Sequence, residues 1–198
     1  MDFNQAYILE NDKVLLRPLA TTDFDALLPF SLNEPEIWQY SLVQASGEEQ
    51  LRNYLKLALD GRGLGKEYPF LVIDKKTNRA AGCTRFYDIQ LKEKCLLLGY
   101  TWYGKDFQGT GLNKQCKYLL LNFAFETLGM ERVEFRADND NKRSIAAMLS
   151  IGCKVEGVLR SNGFKPTGER RDSIVLSILK AEWELEVKEQ LKNKLAHD

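Results

Sequence analysis

Gln108-Gly109-Thr110-Gly111-Leu112-Asn113 is the stretch whose reading decides this chain. It lies between a strand-like run, Leu96 to Tyr103, and a long apolar run of helical character, Leu112 to Leu128. Two glycines let the backbone come close to a ligand. The first turn of the helix behind them carries unpaired N–H groups at the positive end of its dipole. These are the parts of a phosphate cradle. The nucleoside-triphosphate loop does not fit: Gly104 and Gly109 have the right spacing, but Thr110 and Gly111 stand where Lys and Ser or Thr are required. The dinucleotide fingerprint fails too, because Lys114 holds the place of its third glycine. Taken alone, the stretch fits a tight strand-to-helix turn as well as a ligand cradle.

Composition narrows the choices. A chain of 198 residues, 44% of them hydrophobic, can build one full core. Lys plus Arg and Asp plus Glu number 28 each, which argues against direct nucleic-acid binding. Cys83, Cys95, Cys116 and Cys153 have neither CxxC nor metal-ligand spacing, so no metal site is expected and free thiols in a reducing compartment are. The single histidine, His197, stands next to the C-terminus, which removes histidine-based triads. The polar start, Met1 to Lys13, has no apolar signal core, and Tyr118 to Phe125 is too short to span a bilayer. The expectation is a cytoplasmic protein with no membrane partner.

Val14 to Arg17 reads as a first strand, and Thr22-Asp23 as the cap of a helix running to about Phe30. Gly47 to Asp60 has helical spacing with Gly61 as its stop. Phe70 to Ile73, Ala80 to Tyr87 and Cys95 to Tyr103 read as strands, the first two joined by the turn Lys75 to Asn78. After the glycine loop, Leu112, Cys116, Leu119, Leu120 and Phe123 mark a mostly buried helix. Then follow a strand, Arg132 to Ala137, and a helix, Asn141 to Ser150, ended by Gly152. Lys154 to Arg160 and Asp172 to Leu179 suggest a hairpin around Ser161-Asn162-Gly163, and 181–196 a charged helical tail. A meander followed by alternating strands and helices points to a mixed sheet with a parallel part at the glycine loop.

Gln108-x-x-Gly111-x-Asn113 resembles the acyl-CoA loop of the GNAT acetyltransferase superfamily, and Asn in the last place is similar to its RimJ/RimL-like branch. Leu98-Gly99-Tyr100-Thr101-Trp102, Ala124-Phe125-Glu126 with Leu128-Gly129 and Arg132-Val133, Asn141-x-x-Ser144, Glu156 to Arg160, Arg171-Asp172 and Glu182-Trp183 follow in the order of that branch, as does the start, Val14 to Leu19. The resemblance spans about 13–185 and implies one N-acetyltransferase domain over 1–198, of α/β (mixed α+β) class. Its GNAT fold would be a central, mixed, mostly antiparallel sheet of about seven strands flanked by helices. It implies acetyl-CoA as cosubstrate and an amine acceptor. The branch points to a protein N-terminus, ribosomal proteins included. A small polyamine or antibiotic acceptor, a succinyl donor and a non-catalytic acyl-CoA-binding module stay open, as does a homodimer.

By the same resemblance, Gln108, Gly109, Thr110, Gly111, Leu112, Asn113 and Lys114 hold the coenzyme's pyrophosphate, chiefly by backbone N–H groups. Lys114 and Lys117 lie where they could add charge, or face solvent. Trp102 and Tyr103 are expected along the pantetheine groove, between strands that splay apart. Asn141 and Ser144 share one helix face turned to the coenzyme. Ser144 is the candidate donor to the departing thiolate, since Met148 holds the place where many members have tyrosine. Glu134, flanked by Glu126 and Asp138, is the candidate base. An α-amine has a pKa near 8 against about 10.4 for lysine, and the gap of about 2.4 units is worth about 3 kcal/mol of deprotonation. A site without a strong base thus favours an α-amine. The acceptor side is expected from Glu34 to Gly65, with Trp38 and Tyr40, and from Ser161 to Arg171.

Overall fold

The computed structural model describes residues 1–196; His197 lies outside the described residues. Eight strands form one sheet in the order β1-β2-β3-β4-β5-β6-β8-β7. They are β1 (Leu9–Glu10), β2 (Val14–Pro18), β3 (Tyr68–Asp74), β4 (Arg79–Gln90), β5 (Cys95–Tyr103), β6 (Arg132–Asp138), β7 (Lys154–Phe164) and β8 (Arg170–Leu179). All neighbours are antiparallel except β5 and β6, so the mixed, mostly antiparallel sheet is as expected, with β1 added at the edge.

The parallel pair is short. Cys95, Leu96 and Leu97 pair with Arg132, Val133 and Glu134, and beyond that β5 leaves β6. The cause lies in the register with β4. Cys83 faces Trp102 and Arg85 faces Gly99, so Tyr100 and Thr101 together oppose Thr84. This is a bulge, and Tyr100 takes a left-handed conformation there (φ +49°). Such a backbone is uncommon for a bulky residue. It is held from both sides: the Arg85 guanidinium lies 4.0 Å from the Tyr100 ring centre, and the Tyr87 ring packs edge-on at 4.9 Å. Gly82 keeps the far part of β5 close to β4. It pairs with Tyr103, and a Cβ on Gly82 would lie 2.0 Å from the Trp102 carbonyl oxygen.

The α-helices that precede β7 are α1 (Phe24–Asn33), α2 (Glu48–Gly63), α3 (Leu112–Asn122) and α4 (Lys142–Ser150). On β4, Arg85 turns to the α2 residue Tyr54 (4.9 Å to its ring centre), while Phe86 stacks on Phe123 at the end of α3 (centroids 6.3 Å). Alternate strand residues face opposite ways, so α2 and α3 cover opposite faces of the sheet. Near the start, Asp23 is buried and accepts from Ala20 N at 2.8 Å as well as from the Arg17 guanidinium, and so orients α1.

Three local expectations are corrected. α2 does not stop at Gly61 but runs to Gly63, and the left-handed residue that ends it is Gly65 (φ +69°). The Gly61 carbonyl instead accepts the N–H groups of Lys66 and Glu67 as the chain turns back. The run Leu112 to Leu128 is not one α-helix: after Asn122 it widens into a π segment, Phe123–Thr127. A second π segment, Trp183–Val187, joins Lys180–Glu182 to Lys188–Ala196 in the C-terminal helix. The two meet, with Phe125 stacked on Trp183 at 5.5 Å and Trp183 Nε1 donating to Glu126 at 2.9 Å. The β7–β8 turn is not Ser161-Asn162-Gly163. Pairing continues to Phe164↔Arg170, and Ser161 (φ +54°) sits in a register shift inside β7. Lys165 N donates to Glu169 O, and the left-handed Gly168 completes the turn.

Gly82→Ala is expected to lower stability by about 3 kcal/mol, because only backbone movement relieves the clash. In a chain of this size that reads as a fall of roughly 6–12 °C in Tm by calorimetry.

Candidate functional site

Where β5 and β6 part, a cleft of about 1240 Å³ passes between them. One mouth is the glycine loop. Gly109 (φ +75°) and Gly111 (φ +85°) both need a left-handed backbone, which glycine adopts without strain. Gly111 caps α3, and its carbonyl accepts from Lys114 N and Gln115 N. Gln108 Nε2 donates to Tyr103 O at 2.7 Å, and Thr110 Oγ1 donates to Phe107 O at 2.9 Å. These side chains therefore shape the loop. Among the described residues, no backbone carbonyl accepts from the N–H groups of Gly109, Thr110, Gly111 or Asn113. A loop that keeps its donors unpaired at a helix start fits a pyrophosphate. The cleft lining adds Lys114, Lys117, Lys142, Arg143 and other cations and, among the described residues, only Glu36, Asp138 and Asp140 as carboxylates. The residues present thus fit a polyanionic coenzyme.

On the α4 wall, Asn141 caps the helix, with Oδ1 accepting from Ser144 N at 3.0 Å. Ser144 is half-buried and lines the cleft with Met148. Among the described residues, its hydroxyl makes no hydrogen bond. Trp102 and Tyr103 lie along the cleft wall, but their side chains belong to the core. Trp102 Nε1 donates to Tyr54 OH at 3.2 Å, and its ring packs on Trp38 and Phe30. Tyr103 is buried, with its phenol pKa pushed well up by burial. What they offer the cleft is backbone.

Lys117 corrects one alternative of the sequence reading. It is not on a solvated helix face: it is 5% exposed, and its Nζ donates to Thr101 Oγ1 at 2.9 Å. The apolar periodicity of α3 could not show this, since Lys117 falls beside Cys116 on the buried side.

The other mouth opens on the α2 face. Glu134 does not reach it. Its two carboxylate oxygens take Arg132 at 2.8 Å and Arg136 at 2.6 Å, and it does not line the cleft. Glu126 is equally remote, bound to Trp183 and Lys188. The carboxylate that β6 brings to the cleft is Asp138, four residues along on the same strand face. It is 2% exposed. Oδ1 accepts from Asp140 N at 2.9 Å, Oδ2 has no hydrogen-bond partner, and Arg171 Nε stands 3.9 Å away. Arg171 is itself fixed, donating to Ser173 Oγ at 3.1 Å and to Tyr40 O at 2.9 Å. Tyr40, Ser41 and Leu42 form one wall of this mouth, and Asn162 lies on another. Trp38, by contrast, is fully buried beneath it. No helix among the described residues is long and apolar enough to cross a membrane.

Comparison with known proteins agrees with this geometry. A family model described as an acetyltransferase (GNAT) domain matches residues 13–154. The "Uncharacterized N-acetyltransferase p20" of Bacillus licheniformis is 26% identical over 176 residues, covering 88% of this chain and 97% of that protein. A crystal structure of a GCN5-related N-acetyltransferase from Brucella melitensis superposes with a TM-score of 0.89 at 23% identity, over 98% of this chain and 87% of that one. RimL, a ribosomal L7/L12 α-N-protein acetyltransferase solved with coenzyme A, superposes with a TM-score of 0.76 at 20% identity, over 87% and 98%. With a family model matched over most of its length and a sheet that parts at the expected pair of strands, the chain belongs to the GNAT family and is an N-acetyltransferase.

Proposed function

We propose that the cleft binds acetyl-CoA and passes its acetyl group to the α-amine of a protein N-terminus. The observation that carries this reading is that the β5–β6 split is open at both ends. Unpaired backbone donors stand at the α3 mouth, and a carboxylate oxygen with no hydrogen-bond partner stands at the α2 mouth. Gly109 to Asn113 take the pyrophosphate, and Lys114 and Lys142 add charge around it. Pantetheine lies along the backbone of Leu98 to Tyr103, where β5 has no partner on that side. A β5 backbone N–H then serves the developing oxyanion. The Ser144 hydroxyl hydrogen-bonds the sulfur.

On the acceptor side, Asp138 takes the place assigned from sequence to Glu134. Its Oδ2, 3.9 Å from Arg171 Nε, accepts the proton that the amine nitrogen sheds as it attacks, directly or through one water. A carboxylate is a weak base, and an α-amine asks less of it than a lysine does. The lining also speaks against polyamines, which would need clustered carboxylates where this cleft is mainly cationic. A chain terminus needs an open channel, which the mouth between Tyr40, Leu42 and Asn162 provides. RimL, named for acting on a protein α-amine, shares the fold, and the ribosomal-protein acceptor is proposed on that likeness. The unpaired cysteines fit a reducing, cytoplasmic setting.

Gly111→Val forces a β-branched residue into φ +85° and is expected to weaken coenzyme A binding at least about tenfold by calorimetry. Unchanged affinity would remove the loop from the site. Asp138→Asn is expected to lower kcat/KM about 100-fold for peptide α-amines while acetyl-CoA affinity stays within about threefold. Ser144→Ala is expected to cost turnover about tenfold and affinity little. A panel of peptides and polyamines, scored by thiol release, checks the acceptor class; faster turnover of polyamines than of any free peptide N-terminus would overturn it.

A further inference from the structure

The acetyl-CoA reading leaves open which group returns a proton to sulfur. Ser144 can hydrogen-bond a thiolate, but an alcohol is a much weaker acid than a thiol and cannot be the net source. Met148 has no proton to give. A third cleft residue on the α3 side can.

Lys117 lies on α3 about one and two-thirds turns past Gly111. Its Nζ bonds Thr101 Oγ1 at 2.9 Å, and Thr101 Oγ1 shares a 2.8 Å hydrogen bond with Thr84 Oγ1. Thr101 follows the left-handed Tyr100, in the part of β5 that has left β6. Across the split, Nζ stands 5.8 Å from the centre of the Phe135 ring of β6. The ammonium therefore sits between the two lips, and it lines the cleft with Ser144. β4, β5 and β6 present to it only the uncharged Thr84, Thr101 and Phe135. Its titratable neighbours are two thiols, Cys116 on its own helix and Cys153 after α4, each pushed up to about 12 by burial and so neutral. Among the described residues no carboxylate pairs with it. A buried ammonium without a counter-ion is costly, and a methionine would fill the same space without that cost. Burial accordingly pulls Lys117 down to about 8, within reach of proton transfer at neutral pH.

We propose that Lys117 is the acid that protonates the coenzyme's sulfur as the thioester breaks, with Thr101 and Thr84 as positioning residues that aim its ammonium. The acceptor nitrogen, entering as a neutral amine, forms the N–C bond to the acetyl carbon. The C–S bond breaks with its electron pair on sulfur, and a proton from Nζ makes the thiol. The acceptor's surplus proton leaves through Asp138 to water, and the neutral Nζ takes a proton from solvent through the cleft. No oxidant or metal is needed.

The sign of the pH effect follows. The donor must be protonated, so turnover falls as pH rises through the Lys117 pKa, near 8, while amine acceptors gain reactivity over the same range. Two measurements on wild type, Lys117→Met and Lys117→Arg test this. The first needs no turnover: the thiol of bound coenzyme A is titrated by its thiolate absorbance. The bound thiol is expected to ionise below free coenzyme A in wild type and about one pH unit or more higher in Lys117→Met. The second is the pH profile of kcat. Lys117→Met is expected to lose about 100-fold and the alkaline limb, with coenzyme affinity within about threefold. Lys117→Arg keeps the charge but has no transferable proton, and is expected not to restore turnover. Thr101→Val, which removes the anchoring hydrogen bond to Lys117 together with the bonds of Thr101 Oγ1 to Thr84 Oγ1 and Gly99 O, is expected to cost about tenfold and to shift the alkaline limb; it serves if Lys117→Met does not fold. Equal thiol titration in wild type and Lys117→Met, or full turnover in Lys117→Met or Lys117→Arg, would overturn the proposal. If wild type releases no thiol with any amine, the acetyl-transfer reading fails, and the titration still decides Lys117.

Discussion

Tyr100 holds a left-handed backbone between the Arg85 guanidinium and the Tyr87 ring, and the rest of the site depends on that one bulge. Were β5 regular, its parallel pairing with β6 could continue past Leu97 and close the cleft. The extra residue opposite Thr84 turns β5 away instead and leaves a stretch of backbone without a partner in the middle of a sheet. Unpaired backbone away from water is costly. Here it borders a cleft that a ligand can enter and pair with, so the bulge is best understood as preparation for binding.

The same parting divides the chemistry by face. Residues 134, 136 and 138 of β6 look toward the α2 side, and residue 135 looks toward α3 and Lys117. A thioester lying in the split would have the glycine loop, Ser144 and Lys117 on one side, with Asp138, Arg171 and Tyr40 on the other. Proton uptake by sulfur and proton loss by the acceptor are thereby proposed to occur on opposite faces of the sheet. That separation lets a cation and a carboxylate serve one reaction without neutralising each other as an ion pair.

Much of this was legible in the sequence because it rests on local rules. Gly109 and Gly111 mark left-handed positions before a helix, and Asn141 with Ser144 marks a cap three residues before its partner. The alternating elements around the loop predict the one parallel pair. What was not legible depends on which neighbour a side chain meets. Glu134 and Asp138 are both acidic residues on one strand face. Only the register with β8 and the reach of Arg132 and Arg136 show that both oxygens of the first are taken, while Oδ2 of the second has no hydrogen-bond partner. Lys117 read more readily as a solvated cation, because its burial comes from β5 and β6 closing over α3, elements far from it in sequence. The hairpin turn was misplaced for a similar reason: Ser161-Asn162-Gly163 has turn chemistry, but continued pairing to Phe164 turns it into a bulge.

A crystal structure with coenzyme A bound tests the central claim most directly. Expected is pantetheine running between β5 and β6 with its amides paired to the Leu98 to Tyr103 backbone. The pyrophosphate should lie on the N–H groups of Gly109 to Asn113, and the sulfur within hydrogen-bond reach of Lys117 Nζ. Coenzyme A seated outside the split, or β5 and β6 paired along their full length in the complex, would contradict it.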